Sequence, residues 1–330
     1  MSQNTLPLVT KRSILTIAIP TYNRVSHVDT LLDQLMKNNV LEDAYILVID
    51  DGSSDNTFEI ITKKYCHKYD IQVLENEINF GYPRTFVRLF KECKTEYLLI
   101  MADDDLLVTG GLKPLIKFLT SEKPAFCSPQ FLNEGLIYRG RNKTKIIKPQ
   151  EFFQCSAHAP GLVYNVTKCN EVLDYLAARI QSEKADALIY PQVVLVIILL
   201  LSNAKCYWLQ FPLASGGANA PSGIRDAHGS EYWSFESRWR QMKAFDDLLS
   251  DFRNSSFAGD ILNEIYKAHR LKIFGWLVIA MESESPELRL AFDNQAWQFY
   301  LKLFFKKLLP ITRIQNLYRA LRSYERRDPN

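Results

Sequence analysis

The chain is poor in the features that mark several large protein classes. Its six cysteines, at 66, 93, 127, 155, 169 and 206, form no CxxC pair and no regular spacing. That excludes a zinc ribbon, gives no disulfide framework, and fits a reducing cytosol. Lysine and arginine number 40 against 37 acids, a net charge of +3, and so small an excess predicts no nucleic-acid partner. The opening stretch, MSQNTLPLVTKRS, lacks the apolar core of a secretory leader. Long hydrophobic runs are also missing. The longest, VVLVIILLL at 193–201, reaches only about 14 residues when counted from Leu188, short of the ~20 a bilayer needs. It also contains Pro191 and Gln192, and predicts a buried helix with Pro191 in the first turn. With 47% hydrophobic residues in 330, the chain can bury one large core and carry an appendage. The expected division is 1–215 and 216–330.

What is present begins with Tyr97 to Leu107, YLLIMADDDLL. The apolar start predicts a strand buried on both faces, and Asp103, Asp104 and Asp105 emerge where it leaves the sheet. Adjacent carboxylates of this kind are relieved by a hard divalent cation, Mg2+ or Mn2+, that can also bridge to substrate phosphates. They can equally form a solvated turn before a helix starting near Gly110. A second apolar run, YILVI at 45–49, also ends in acid, at Asp50 and Asp51, followed by Gly52 and Asp55. The pattern from Ile14 reads as strand 14–20, helix 26–38, strand 45–49, helix 55–68, strand 71–75, helix 83–93 and strand 97–101. Parallel strands joined by right-handed crossovers bring all their carboxyl ends to one edge, so both acidic clusters are expected at one crevice. Ser26 followed by Asp29 resembles a capping box for the first helix.

Beyond residue 205 the composition changes. PLASGGANAPSGIRDAHG at 212–229 predicts a long loop. Helical patterns follow at 233–252, 260–282, 286–308 and 311–326. Residues 299–330 interleave Lys and Arg with Phe, Tyr and Leu. Such a basic amphipathic end suits peripheral docking on an anionic membrane, or a packed helix with a solvated basic face.

IAIPTYNR (17–24), VIDDGSSDNT (48–57), NFG (79–81) and EYLLIMADDDLL (96–107) together resemble the family 2 glycosyltransferases, in order and spacing, over about residues 12–130. The resemblance is greatest to bacterial members that build O-antigen, capsule or lipooligosaccharide. It implies the α/β GT-A fold, a Rossmann-like, mainly parallel sheet flanked by helices, here with a helical C-terminal region. It also implies inverting transfer of a sugar from a nucleotide-diphosphate donor to a glycan or lipid-linked glycan acceptor, on the cytoplasmic side. By the same resemblance Pro20, Thr21, Tyr22 and Asn23 form the nucleotide-binding turn and Asp51 contacts the base. Asp103 lies toward the ribose or diphosphate, Asp104 ligates Mn2+ or Mg2+ as the last acid of the DxD motif, and Asp105 supports the metal through water. The motif's first acid is replaced by Ala102. Gly81 permits close backbone approach, and Arg84 meets the donor phosphates or makes a surface ion pair.

The family's catalytic Asp, or Glu-Asp pair, precedes a helix corresponding to about 187–203. Asp186 is the nearest carboxylate, with Glu183 second, while Gln192 cannot act as a base. Asp186 could equally cap a helix. His228, in the long loop, is a candidate phosphate contact or proton acceptor, or simply a solvated loop residue, and FESRW at 235–239 lacks the Gln of the processive QxxRW motif. Two other functions compete. A sugar-phosphate nucleotidyltransferase needs a Gly-rich loop after its first strand, which PTYNR does not supply. A transferase-like scaffold that only binds donor is kept open by the missing Glu-Asp pair.

Overall fold

In a computed structural model of the chain, the described residues are 13–217, 234–253 and 259–283. His228 and the helices expected at 286–308 and 311–326 fall outside them. The chain divides into two compact units at Pro221/Ser222.

The first unit opens with alternating strands and helices: β1 Leu15–Thr21, α1 Val25–Lys37, β2 Tyr45–Asp50, α2 Thr57–Ile61, β3 Ile71–Glu75, α3 Tyr82–Glu92 and β4 Tyr97–Ile100. Strands β3, β2, β1 and β4 lie side by side and parallel, with Thr21 beside Asp50 and Ala18 beside Ile100. This quartet and its crossovers follow the hydrophobic pattern to within about two residues at most boundaries. The stretch expected as one helix over 55–68 is instead α2 followed by a π-turn at Thr62–Cys66. The capping box does not form. Arg24 is the N-cap of α1 with no side-chain cap bond, while Asp29 accepts from Lys64 Nζ at 2.6 Å and Tyr65 Oη at 2.8 Å.

The remainder is β5 Asp105–Leu107, α4 Leu112–Glu122, β6 Phe126–Asn133, β7 Leu136–Arg139, β8 Lys145–Ile146, α5 Phe152–Ser156, β9 Val163–Asn165, α6 Val166–Gln181, α7 Ala185–Ile189, α8 Pro191–Leu201 and β10 Cys206–Gly216. The sheet order is β3-β2-β1-β4-β9-β6-β10-β5, with β7 on β6 and β8 on β10. It is mixed: β6 and β10 are parallel, whereas β9 runs antiparallel to both β4 and β6. The loop expected from residue 212 therefore begins later, because 212–216 belong to β10. Pro212 is tolerated there because the β10–β6 register breaks on either side of it.

Period-two alternation sorts the core onto two faces. Leu15, Ile17 and Ile19 of β1 join Val28, Leu31 and Leu35 of α1 and Leu112, Leu115 and Leu119 of α4 in one cluster. Facing the other way, Phe86 and Phe90 of α3 stack edge-on against Tyr164 of β9, with centroids 6.2 and 5.4 Å apart. All residues of α8 from Pro191 to Leu200 are buried, and Pro191 sits in its first turn as expected. At 11 residues and 1.5 Å rise the helix spans about 16 Å, half a hydrocarbon core. No described helix is long and apolar enough to cross a membrane.

The second unit contributes α9 Phe235–Arg253 and α10 Asp260–Ser283, close to the helices expected there. Within it, Arg270 Nη2 pairs with Asp246 Oδ2 at 2.6 Å.

Candidate active site

The carboxyl ends of β1, β2 and β4 converge on a cavity of about 300 Å³. Thr21, Tyr22, Arg24, Asp51 and Asp103 line it, and Met101, Ala159 and Pro160 supply part of its apolar wall. Both acidic clusters thus open onto one crevice, as parallel crossovers dictate.

The first strand's turn is built by hydrogen bonds across to the second. Asp51 N donates to Thr21 O at 2.9 Å, and Asn23, held at φ 51°, accepts Ser54 N on its Oδ1 at 2.7 Å. Gly52, at φ 71°, lies so close to the next loop that a Cβ would fall 2.5 Å from the Ile78 carbonyl carbon, so no other residue fits. Asp50 accepts from Ser53 N at 3.2 Å and Asp55 accepts from Thr57 N at 3.1 Å; both fix the loop. Asp51 lines the cavity, yet its oxygens are already engaged, by Asn76 Nδ2, by Phe80 N at 3.1 Å and by Gly81 N at 2.8 Å. Asp51 is therefore the acid that shapes the NFG turn at the β1–β2 end of the cavity. Gly81, at φ 82°, caps α3. Arg84 is exposed, donates to Phe80 O at 3.2 Å and does not line the cavity.

At the other end, Thr21 Oγ1 donates to Asp103 Oδ2 at 2.8 Å, joining β1 to the acidic run. Arg24 Nη1 reaches Asp103 Oδ1 at 3.0 Å and Asp104 Oδ2 at 3.2 Å. Burial pushes the Asp103 carboxyl up, and Thr21 and Arg24 only partly oppose it. Asp105 is raised further, to about 7, by burial and then by the charge of Asp104. Burial disfavours the Arg24 charge, but its two acids outweigh that and raise it. The cluster is thus three adjacent carboxylates, partly removed from water, with one guanidinium shared by two of them.

That donor set fits a hard divalent cation of the bridging kind. Oxygen-only ligands suit Mg2+ or Mn2+, and Asp104, with 15% of its side chain exposed, has only Oδ2 engaged. Among the described residues no three acidic, imidazole or thiol groups converge on one point. A cation here would take one or two carboxylates and complete its shell with phosphate and water, which is how Mg2+ is usually bound to phosphate substrates. Gly217 closes over this run, where a Cβ would meet the Asp104 carbonyl oxygen at 2.0 Å.

Asp186 requires a correction. It does not line the cavity, and it is fully buried in α7 with Arg179 of α6 gripping both oxygens, at 2.9 and 2.8 Å. Burial raises its pKa even against Arg179, but a carboxylate locked by a guanidinium fork cannot take a substrate proton, so its place is structural. It is not an N-cap either, since Lys184 holds that position. Glu183 is exposed, at φ 52°. Gln192 Nε2 donates to Ala157 O at 2.9 Å.

Four further residues contribute without a signal in the sequence. Arg24 was within the PTYNR motif but had no assigned role. Tyr82 and Thr85, in the first turn of α3, line the cavity. Arg139 is buried in β7 and donates to Pro160 O at 2.8 Å and Pro129 O at 3.2 Å, holding the 158–160 wall. Burial lowers Arg139 to about 10 and His158, beside it, to about 3, so that imidazole is neutral. A lone Arg in a polar stretch gives no sequence signal of such a task.

Comparison with known proteins agrees with this architecture. Residues 16–173 match the model of Glycosyl transferase family 2. The chain is 28% identical over 139 residues to the uncharacterized glycosyltransferase MG025 of Mycoplasma genitalium, covering 41% of this chain and 44% of that protein. It is 28% identical over 112 residues to abequosyltransferase RfbV of Salmonella typhimurium, covering 33% of each. The matched segment is about half the length, or less, of these curated relatives. Among solved structures, S. aureus TarS 1–349 in complex with UDP-GlcNAc superposes with a TM-score of 0.57 at 16% identity, over 81% of this chain and 79% of that one. Mannosyltransferase PcManGT from Pyrobaculum calidifontis, in complex with GDP-Man and Mn2+, gives 0.50 at 14% identity, over 94% and 86%. At such identities the likeness is one of fold. Residues 16–173 thus resemble glycosyl transferase family 2, on a mixed α/β fold of the GT-A type.

Proposed function

We propose that the protein is a divalent-cation-dependent, inverting glycosyltransferase that takes a sugar from a nucleoside diphosphate and passes it to a hydroxyl of a glycan or lipid-linked glycan in surface polysaccharide assembly. The observation that carries this reading is the polarity of the cavity. Asp51 and the exposed ring of Tyr22 stand on the β1–β2 side, and Asp103 with Arg24 stands on the β4 side. A nucleoside fits against the aromatic and the turn at the first end. A diphosphate fits the second end only if the acids are neutralised. Asp104, assisted by Asp105, would hold Mn2+ or Mg2+, which when bound supplies positive charge to the departing diphosphate.

The protein's own groups do the rest. Thr21 and Arg24 fix the orientation of Asp103, the Asp51-bound turn orients the nucleoside, and the 158–160 wall pinned by Arg139 closes one side against water. Both carboxylates lining the cavity, Asp51 and Asp103, are hydrogen-bonded, which favours a second reading, a donor-binding protein without transfer. Incubation of the intact chain with UDP-, GDP- and dTDP-sugars, Mn2+ and a glycan acceptor separates the two: a transferase releases nucleoside diphosphate in step with acceptor, and a binding protein releases none.

A further inference from the structure

One guanidinium nitrogen serves two carboxylates. Arg24 Nη1 lies 3.0 Å from Asp103 Oδ1 and 3.2 Å from Asp104 Oδ2. The two acids belong to the run after β4, whereas Arg24 belongs to the turn after β1, 79 residues away. About a third of the Arg24 side chain is exposed, 36%, against 6% for Asp103. The backbone is independently anchored, because Arg24 O accepts His27 N at 3.0 Å and Val28 N at 3.1 Å at the start of α1. The guanidinium can therefore leave Asp104 while the helix start stays in place.

The same Asp104 oxygen that Arg24 occupies belongs to the carboxylate best disposed to meet a cation. A divalent ion and a guanidinium repel, and cannot share that carboxylate closely. Phosphate, in contrast, accepts a bidentate pair of hydrogen bonds from the planar guanidinium and also ligates a divalent ion, so a bound diphosphate gives the displaced arginine a new partner. We propose that Arg24 is a placeholder for the metal: in the nucleotide-free cleft it pairs with Asp103 and Asp104, and it yields Asp104 to the cation when a nucleoside diphosphate supplies oxygens to the displaced guanidinium. Metal and nucleotide then load interdependently, and the empty cleft takes up little cation alone. The inference rests on the proposed donor chemistry but adds an order to it that the chemistry does not require.

Because binding linkage is reciprocal, the coupling is measurable from either ligand. Mn2+ binding to the intact chain, followed by electron paramagnetic resonance of the free ion, is compared for wild type, Arg24→Gln and Arg24→Lys, with and without UDP, GDP or dTDP. The expected result is weak Mn2+ binding by nucleotide-free wild type, tightened at least ~10-fold by one of the nucleotides. Arg24→Gln should bind Mn2+ at least ~10-fold more tightly than wild type without nucleotide, and lose most of the nucleotide's effect. Arg24→Lys keeps the charge at a single shorter-reaching ammonium and should fall between, which also covers a Gln variant that fails to fold. Nucleotide-free Mn2+ affinity within twofold of wild type in the folded variants overturns the placeholder, even if nucleotide still promotes Mn2+ binding. No Mn2+ uptake by wild type with any of the three nucleotides would overturn the donor chemistry as well.

Discussion

Replacing Asp186 by asparagine separates a structural acid from a catalytic one. Its side chain is 0% exposed and that of Arg179 7% exposed, with the fork closed at 2.9 and 2.8 Å. Removing one partner of such a pair strands the other charge in the interior, which typically costs about 3–5 kcal/mol. For a unit of some 200 residues each kcal/mol moves the midpoint by about 2–4 °C, so the melting temperature should fall by roughly 6–20 °C. Thermal and urea unfolding give the stability. Rates measured well below the new midpoint, and normalised to folded protein, should stay within a few-fold of wild type. Adding Arg179→Met should recover part of the loss, because the orphaned charge is then gone. A variant with an unchanged melting temperature but kcat reduced ~10²-fold or more, the range of a lost general base, would refute this reasoning and restore Asp186 to the chemistry.

Three further outcomes follow, two from the same geometry and one from the sequence. Asp105 has its pKa raised to about 7 against about 3.9 when unfolded, so the stability it lends to the cation-free fold is present below about pH 4 and is lost as pH rises through 7. Asp105→Asn should therefore be the more stable protein at pH 8, by at most about 4 kcal/mol, and about level with wild type at pH 4; parallel urea curves for the two at both pH values contradict it. Asp51→Ala leaves the Phe80 amide without its acceptor and removes one of the two acceptors of Gly81 N, which also donates to Asn79 Oδ1, so it should lower stability by about 1–3 kcal/mol and raise donor KM more than it lowers kcat; a collapse of kcat at constant KM would oppose that role. If residues 299–330 dock on an anionic membrane, the intact chain should co-sediment with anionic vesicles at low salt and be released by high salt, since each Lys or Arg near the surface contributes about 1 kcal/mol that salt screens; indifference at both salt concentrations ends that reading.

The parts of this molecule legible in the sequence are those where one face of an element is uniformly apolar. β1, β2, β4 and α8 are near-continuous hydrophobic runs because both sides are covered, and their ends mark the crevice. β6 and β10 were not legible. FCSPQFLN and CYWLQFPLASG mix proline, polar and small residues, and it is their pairing with each other and with β9, β7, β5 and β8 that makes them strands. The acid clusters were visible as residues, but their partners were not: Arg24 meets Asp103 across 79 positions, and Arg179 meets Asp186 through the packing of two helices. A sequence shows that a carboxylate is present, and the fold decides whether it faces a substrate or an arginine.

A nucleoside diphosphate held in the cleft through a cation at the neighbouring Asp104 makes donor affinity depend on both the ion and that carboxylate. Isothermal titration of the wild type and Asp104→Ala with UDP-, GDP- and dTDP-sugars, each with Mn2+ and with EDTA, tests it most directly. The account predicts that at least one donor binds the wild type in Mn2+, that EDTA abolishes most of that affinity, and that Asp104→Ala, folded to the same melting temperature or higher, no longer responds to Mn2+. Equal affinity in Mn2+ and EDTA, or a Mn2+ response undiminished in Asp104→Ala, would contradict it.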